Sequence, residues 1–356
     1  MRKKLKIAQL APPWIEVPPK KYGGTELITS YLCEGLLKKG HDVTLFASGD
    51  SKTRAKLKST FPEALYKVKN TWHDDFSSIL HSLSCFEKSN KFDIIHNHFN
   101  YYGILFSSLI ETPILTTYHG DFTKIVQEKD IKYKILKKFN RHPIVSISNS
   151  QRPKGLKLNF VETIYNGIDV QKFKFNKSPN NYIAWIGRIT PKKGIIEAIQ
   201  IAKKSKINLK IAAKIDKNSP TDVDFYKKKV KPLIDGKKIS YIGEIGGYKE
   251  KSIFLNNALA LINPISWNEP FGLVMAEAMA CGTPVIVYDY GSAKEVVKNN
   301  KTGFIVKNEK EAIGAIKKIK QIKREDCREW VEDNFTKEKM INEYERIYYK
   351  IISENV

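Results

Sequence analysis

The sequence predicts an α/β protein built from two doubly wound, parallel-sheet domains. Three observations carry that prediction. A length of 356 residues suits two domains of ordinary size, each able to bury its own core. Each half contains strand–helix–strand units. In the first these are Lys6–Leu10, a helix from about Thr25 to Lys39, and a strand over His41–Phe46. In the second they are Tyr182–Gly187, a helix starting near Gly194, and a strand over Leu209–Ala213. A right-handed crossover between such strands makes the sheet parallel. Between the halves, residues 173–181 (FKFNKSPNN) are polar with one proline, which fits an interdomain linker. The expected domains are therefore 1–172 and 173–335, followed by an amphipathic helix within 336–356.

In the first half, the helix keeps Leu27, Ile28, Tyr31, Leu32, Leu36 and Leu37 on one side, and Gly40 ends it. The loop before it, APPWIEVPPKKYGGTE, brings Gly23 and Gly24 to the helix start, where unpaired amides form a plausible anion cradle. Glycine pairs also occur in loops for conformational reasons alone. The glycines do not form G-x-G-x-x-G, so a dinucleotide fingerprint is not supported. Two more strands end in histidines: Phe92–His96 with His96-Asn97-His98, and Pro113–Tyr118 with His119-Gly120. Ligands of open α/β sheets collect at such C-terminal strand ends. The H-x-H spacing supplies only half a metal site, and a pocket-lining or structural role fits it better. From Asp121 to Arg141 a basic helical stretch interleaves Lys132, Lys134, Lys137, Lys138 and Arg141 with apolar residues. It reads first as a solvated helix face, and second as a surface for an anionic membrane or a charged acceptor.

In the second half, Arg188 and Lys193 lie between a strand and a helix start, where two cations suit a diphosphate that gains charge as it leaves. Residues Asn268–Tyr290 (NEPFGLVMAEAMACGTPVIVYDY) are the most informative stretch. Pro270 blocks helix before it, Gly272 lets a ligand approach the backbone, and Leu273–Cys281 is made of helix formers. Gly282 sits where a left-handed cap is expected, and Val285–Val287 reads as a buried strand. Glu269 and Glu277 bracket the helix start. Helical side chains tilt toward the N-terminus, so Glu277 leans toward the first-turn amides, which favour an anion. A carboxylate accepts two hydrogen bonds from a sugar diol. The pair therefore suits a ligand carrying both phosphate and hydroxyls.

Bulk properties narrow the function. Apolar content of 42% and charged content of 28% are those of a soluble globular protein. No apolar run approaches the ~18–20 residues that span a bilayer, and the N-terminus is not a convincing signal peptide. Cys33, Cys85, Cys281 and Cys327 lack C-x-x-C spacing, so neither a disulfide framework nor a zinc site is expected, and a reducing cytoplasm is the expected compartment. A net charge of +23 raises nucleic acid, anionic membrane and phosphorylated ligands as partners. Lysine spread over both halves, without an RNA or helix-turn-helix motif, argues against nucleic acid.

The stretch Glu269-x7-Glu277 resembles the donor-site motif of retaining family 4 glycosyltransferases with the two-domain GT-B fold. PPKKYGGTE resembles one branch of that family, Val161–Asp169 its segment ending in NGID, and Gly187-Arg188-x4-Lys193 its diphosphate-binding pair. The resemblance covers nearly the whole chain. It implies two Rossmann-like domains facing a central cleft, the last helix crossing back to the N-terminal domain. It implies transfer of a hexosyl group from a nucleotide sugar (UDP-, GDP- or ADP-hexose) to an acceptor hydroxyl, with no metal required. Glu269 would meet the hexose and Glu277 the ribose. Backbone amides at Phe271, Gly272 and Leu273 would approach the sugar, and His119 would hydrogen-bond a hexose hydroxyl. Arg188 and Lys193 would stabilise the departing diphosphate. Gly23 and Gly24 would face the phosphates, and the segment around Glu244 would hold the base. After Gly291, Ser292 and Lys294 depart from the glycine-rich turn and proline of many relatives, with no effect assigned to them. The acceptor is left open, with peripheral contact at the inner membrane face as one setting for it.

Two other readings keep part of this picture. Sugar-nucleotide epimerases and glycosyl phosphorylases share the two-domain architecture, and acceptor-dependent release of nucleoside diphosphate separates transfer from both. A basic binding protein without turnover, sensing nucleotide sugars or a membrane surface, is separated by multiple-turnover assays and by liposome flotation at varied salt.

Overall fold

The computed structural model describes residues 3–68, 74–122 and 130–354. It divides into two units: unit 1 comprises residues 1–167 and 337–356, and unit 2 comprises Ile168–Thr336. In unit 1 the order is β1 (Lys6–Leu10), α1 (Gly24–Lys38), β2 (Asp42–Phe46), β3 (Lys56–Lys58), α2 (Asp75–Phe86) and β4 (Ile94–Asn97). Then come α3 (Asn100–Ile104), β5 (Ile114–Tyr118), α4 (Ile131–Lys138), β6 (Ile144–Ser146) and β7 (Phe160–Thr163). The strands form one sheet in the order β3-β2-β1-β4-β5-β6-β7, every neighbouring pair parallel.

In unit 2 the order is β8 (Tyr182–Arg188), α5 (Ile195–Lys204), β9 (Asn208–Lys214), α6 (Pro220–Phe225), β10 (Ile239–Gly243), α7 (Gly247–Asn256) and β11 (Ala260–Asn263). It continues with α8 (Leu273–Ala280), β12 (Val285–Tyr288), α9 (Ala293–Val296), β13 (Gly303–Val306), α10 (Glu309–Lys318) and α11 (Arg324–Asn334). Its parallel sheet runs β10-β9-β8-β11-β12-β13. The chain then returns to unit 1 as α12 (Lys337–Glu354).

Helices cover both faces of such sheets, so the central strands bury every residue: β4, β5, β6 and β11 have no exposed position. Polar side chains enter them toward the C-terminal ends: His96 and Asn97 in β4, Thr116 and Thr117 in β5. On α12, Met340, Ile341, Tyr344, Ile347, Tyr348 and Ile351 form a buried stripe at helical spacing. It lies against α1, where Gly35 makes room: a Cβ there would come 2.3 Å from Ile341 Cδ1. The basic stretch expected over 121–141 contains α4; residues 123–129 lie outside the described residues.

The segment expected as a linker is instead fastened to unit 2. Phe173 is buried, Lys174 N donates to Ser252 Oγ (2.8 Å), and Asn176 N donates to Cys281 O (3.3 Å). Arg324 caps the carbonyls of Asn176, Asn256 and Ala258 with three donors. The chain leaves unit 1 slightly earlier, at Gly167, because Ile168 N donates to Phe335 O (2.8 Å) inside unit 2. Polarity alone suggested a linker; the carbonyls that these donors satisfy are contributed by distant residues and are invisible in the local sequence.

Candidate functional site

In each sheet, the two central neighbours send their following loops to opposite faces, which opens a crevice at their C-terminal ends. In unit 2 these are β8 and β11. β8 ends at Arg188 and the loop after it carries Lys193; the loop after β11 runs from Pro264 through Glu269 to Gly272. Gly194 joins them. It starts α5 in the left-handed region (φ 71°), and a Cβ at this position would lie 1.9 Å from Pro264 O. Ser266 N also donates to Lys192 O (3.0 Å).

That closeness brings Lys193 and Glu269 into direct ion-pair contact, Nζ to Oε2, with both side chains largely buried. Lys192 and Lys193 both sit over the Trp267 ring, at 4.6 and 4.8 Å from its centroid. A cation held by an aromatic face and a carboxylate is positioned before any ligand arrives. Lys193 uses one carboxylate oxygen of Glu269, which leaves the other able to accept from a hydroxyl.

The backbone around Glu269 is clamped from α9's side. Ser292 N donates to Glu269 O (3.0 Å), and Ser292 Oγ donates to Phe271 O (2.8 Å). Gly291 has no room for a side chain, since a Cβ would come 2.4 Å from Glu269 O. Ser292, a departure in the sequence with no assigned effect, thus holds the loop that carries Glu269. Phe271 itself is a core residue, 5.5 Å edge-on to Phe335, so only its backbone can face a ligand. Gly272, at φ 77°, starts α8 without a side-chain cap, and Leu273 opens the helix. At the other end, Thr283 N bonds Ala278 O (2.9 Å) and Gly282 N bonds Met279 O (2.8 Å), the left-handed Schellman cap expected at Gly282.

Two residues, Glu277 and Arg188, sit differently from the simplest expectation. Glu277 is 2% exposed, and its Oε1 accepts from Lys251 Nζ of α7 at 2.6 Å, a partner that no local spacing signals. Arg188 is flanked by two buried carboxylates, Asp222 (3.5 Å from Nε) and Asp216 (3.7 Å from an Nη). Asp222 lies in α6 and Asp216 in the loop just after β9, and the sequence offered no motif for them. Glu244 directly follows β10, the edge strand of the sheet, two strands from β8.

In unit 1, Gly23 caps α1 with φ 151°, and a Cβ would meet Pro19 Cβ at 2.7 Å and Glu26 Oε2 at 2.9 Å. The cradle expected at Gly23-Gly24 therefore already has a carboxylate beside it: Glu26, buried in the first turn, where the helix dipole favours negative charge. His119 follows β5 and is half-buried. Its Nε2 lies 3.0 Å from His98 Nδ1, and burial pushes its pKa down to about 3. Gln151 Nε2 donates to the carbonyls of Tyr118 and Gly120 (2.6 Å each), fixing the backbone on both sides of His119. His96 and His98 are fully enclosed, and desolvation holds both well below the usual histidine range. Among the described residues, no group of three or more His, Cys, Asp or Glu side chains is placed to hold a metal ion. Nor, among them, is any helix long and apolar enough to cross a membrane.

Two doubly wound parallel-sheet units in one chain, with charged side chains gathered where the second sheet switches direction, are the architecture of the GT-B fold. The comparisons with known proteins agree. The model for glycosyl transferases group 1 matches residues 168–338, and that for glycosyltransferase family 4 matches residues 22–172. The chain belongs to the family 4-like glycosyltransferases. It is 24% identical to an uncharacterized glycosyltransferase of Methanocaldococcus jannaschii, over 85% of each chain. In structure it is similar to a sucrose-phosphate synthase from Thermosynechococcus elongatus, with TM-score 0.80, 19% identity, and coverage of 99% of this chain and 100% of that one. It is also similar to the Anabaena protein HepE in complex with UDP-glucose, with TM-score 0.73, 16% identity, and coverage of 97% and 100%.

Proposed function

We propose that this glycosyltransferase moves a hexosyl group from a nucleoside-diphosphate sugar to an acceptor hydroxyl, with retention at the anomeric carbon and without a metal. The single observation that carries the reading is the Lys193–Glu269 pair at the switch point of the second sheet, beside the uncapped start of α8. It sets a fixed cation next to a carboxylate with an oxygen to spare, which suits a phosphate and a sugar hydroxyl bound side by side. The fold shared with a protein that binds UDP-glucose supports a nucleotide-sugar donor.

In this reading Glu269 grips the hexose and Glu277 the ribose, and the amides of Phe271, Gly272 and Leu273 approach the sugar. Lys193 and Arg188 stabilise the diphosphate as the bond from the anomeric carbon to phosphate oxygen breaks. The acceptor oxygen forms its new bond on the same face, and its proton passes to a donor phosphate oxygen. His119 hydrogen-bonds a hexose hydroxyl, Gly23 and Gly24 face the phosphates, and the segment at Glu244 holds the base by backbone groups. Arg188 must exchange Asp216 and Asp222 for the diphosphate, so these carboxylates hold it ready when no donor is bound. The setting is cytoplasmic, with the basic face of α4 available to an anionic membrane surface.

The test is a screen of UDP-, GDP- and ADP-hexoses for hydrolysis, then acceptor profiling on the best donor, with the anomeric configuration of the product read by NMR. Acceptor-dependent release of nucleoside diphosphate and a retained anomer are expected. Unchanged transfer by Arg188→Ala and by Glu269→Gln would overturn the site assignment.

A further inference from the structure

At the C-terminal ends of β1, β4 and β5, buried polar side chains form one hydrogen-bonded chain that ends on α12. His119 Nε2 meets His98 Nδ1 (3.0 Å), and His98 Nε2 meets Gln9 Oε1 (2.8 Å). Gln9 Nε2 meets Tyr348 OH (3.1 Å), Tyr348 OH meets His96 Nδ1 (2.6 Å), and His96 Nε2 meets Thr117 Oγ1 (2.8 Å). Thr117 Oγ1 closes on Tyr344 OH (2.9 Å). Apart from His119, every member is essentially inaccessible to water.

Donor and acceptor capacity determines where the protons lie. An amide oxygen only accepts, so His98 carries its proton on Nε2. His98 is neutral, so its Nδ1 is a lone pair, and His119 must donate to it from Nε2. A neutral His119 protonated at Nε2 has a bare Nδ1, which meets no partner among the described residues. On the other side, Gln9 Nε2 donates to the Tyr348 hydroxyl, whose one proton goes to His96 Nδ1. His96 is then protonated at Nε2 as well. Turning the Gln9 amide over would invert every bond in the chain, so the three imidazoles share one tautomer, and Gln9 decides which.

The geometry points to Gln9 as the residue that sets the tautomer of His119 through His98, so that His119 offers Nδ1 as a hydrogen-bond acceptor to a hydroxyl of the bound sugar. Gln9 and His98 are positioning residues; neither touches the reacting atoms. Sequence spacing does not reveal this role, because Gln9 is one polar residue near the end of a mostly apolar strand and its partners are far away in the chain. The proposal rests on the reading that His119 contacts the sugar.

The test uses the full-length chain labelled with 15N-histidine, with imidazole tautomers read by long-range heteronuclear NMR and His119 assigned from a His119→Asn variant. Wild type, Gln9→Leu and Gln9→Glu are compared. A glutamic acid kept neutral by burial has one carbonyl acceptor and one hydroxyl donor, and so reproduces both bonds of Gln9. We expect His96, His98 and His119 all protonated at Nε2 in wild type and in Gln9→Glu. In Gln9→Leu, His98 and His119 become tautomer mixtures and kcat/KM falls roughly three- to tenfold, the worth of about one neutral hydrogen bond. If His119 stays in a single Nε2–H tautomer in Gln9→Leu, or if the three rings differ in wild type, Gln9 does not set it and the proposal fails. If His119→Asn transfers as fast as wild type, the sugar-contact reading fails instead, and the tautomer data show that separately.

Discussion

Replacing Gly194 with alanine tests the geometry that brings Lys193 to Glu269. Two costs add at this position. The backbone sits at φ 71°, a left-handed conformation that costs an L-residue about 1–2 kcal/mol. The new Cβ would also lie 1.9 Å from Pro264 O, and main-chain oxygen cannot rotate away as a side-chain tip can. Relieving that overlap means separating the β8–α5 loop from the loop after β11, at about 1–3 kcal/mol by analogy with overpacked cores. The expected loss is therefore about 2–5 kcal/mol. For a unit of this size it lowers the unfolding temperature of unit 2 by roughly 5–20 °C. Scanning calorimetry of the full-length chain measures it, with Gly314→Ala as the control. Gly314 lies within α10 with no atom within 4 Å of a built Cβ, so that change should stabilise by about 0.5–1 kcal/mol. Transfer activity of Gly194→Ala, assayed below its melting point, should fall as well, because the separation pulls Lys193 from Glu269. Equal stability of Gly194→Ala and wild type, with Gly314→Ala behaving as stated, would refute the reasoning.

Three further outcomes follow from the same geometry. Glu269→Gln removes a charged acceptor, so kcat/KM for transfer should fall roughly 10- to 150-fold, the worth of about 1.5–3 kcal/mol for a hydrogen bond to a charged group, while the fold stays intact by circular dichroism. Lys251→Met strands the enclosed carboxylate of Glu277, and chemical denaturation should show about 3–5 kcal/mol lost; the double variant with Glu277→Gln should recover most of it. Burial holds His81 and His142 at about 4 and His119 at about 3, all below the ordinary value near 6.5. Between those limits the unfolded chain binds protons that the folded chain does not, so stability is complete above about pH 6.5 and is lost as pH falls toward 4. His81 alone accounts for roughly 3 kcal/mol of that loss. Urea midpoints at pH 7 and pH 5 read the effect, and equal midpoints would contradict the burial of these rings.

The fold was legible because parallel-sheet strands are apolar along most of their length and are separated by helices with clear start and stop residues. Lys6–Leu10 and Val285–Tyr288 stand out for that reason, and Gly282 announces the end of α8. Short or mixed strands were less visible: Lys56–Lys58 and Phe160–Thr163 carry polar residues at exposed or half-buried positions, and only pairing to a neighbour identifies them. At the site, Arg188, Lys193, Glu269 and Glu277 could be named from local pattern. Their partners could not. Asp216 and Asp222 lie beyond β9, Lys251 on another helix, and Ser292 past the next strand, so each meets its counterpart only after the sheet has formed.

By itself the sequence determined which residues form strands and helices, where the glycines must sit, and which charged residues cluster near strand ends, since these depend on propensity and spacing along the chain. Only the tertiary structure decided how those charges are paired: Lys193 with Glu269 because Gly194 lies on Pro264, Arg188 between two aspartates, Glu277 against Lys251. It also decided that Gln9, His98 and His119 share one line of protons. Pairing is set by distances in space, and residues dozens to hundreds of positions apart acquire those distances only when the sheets are assembled.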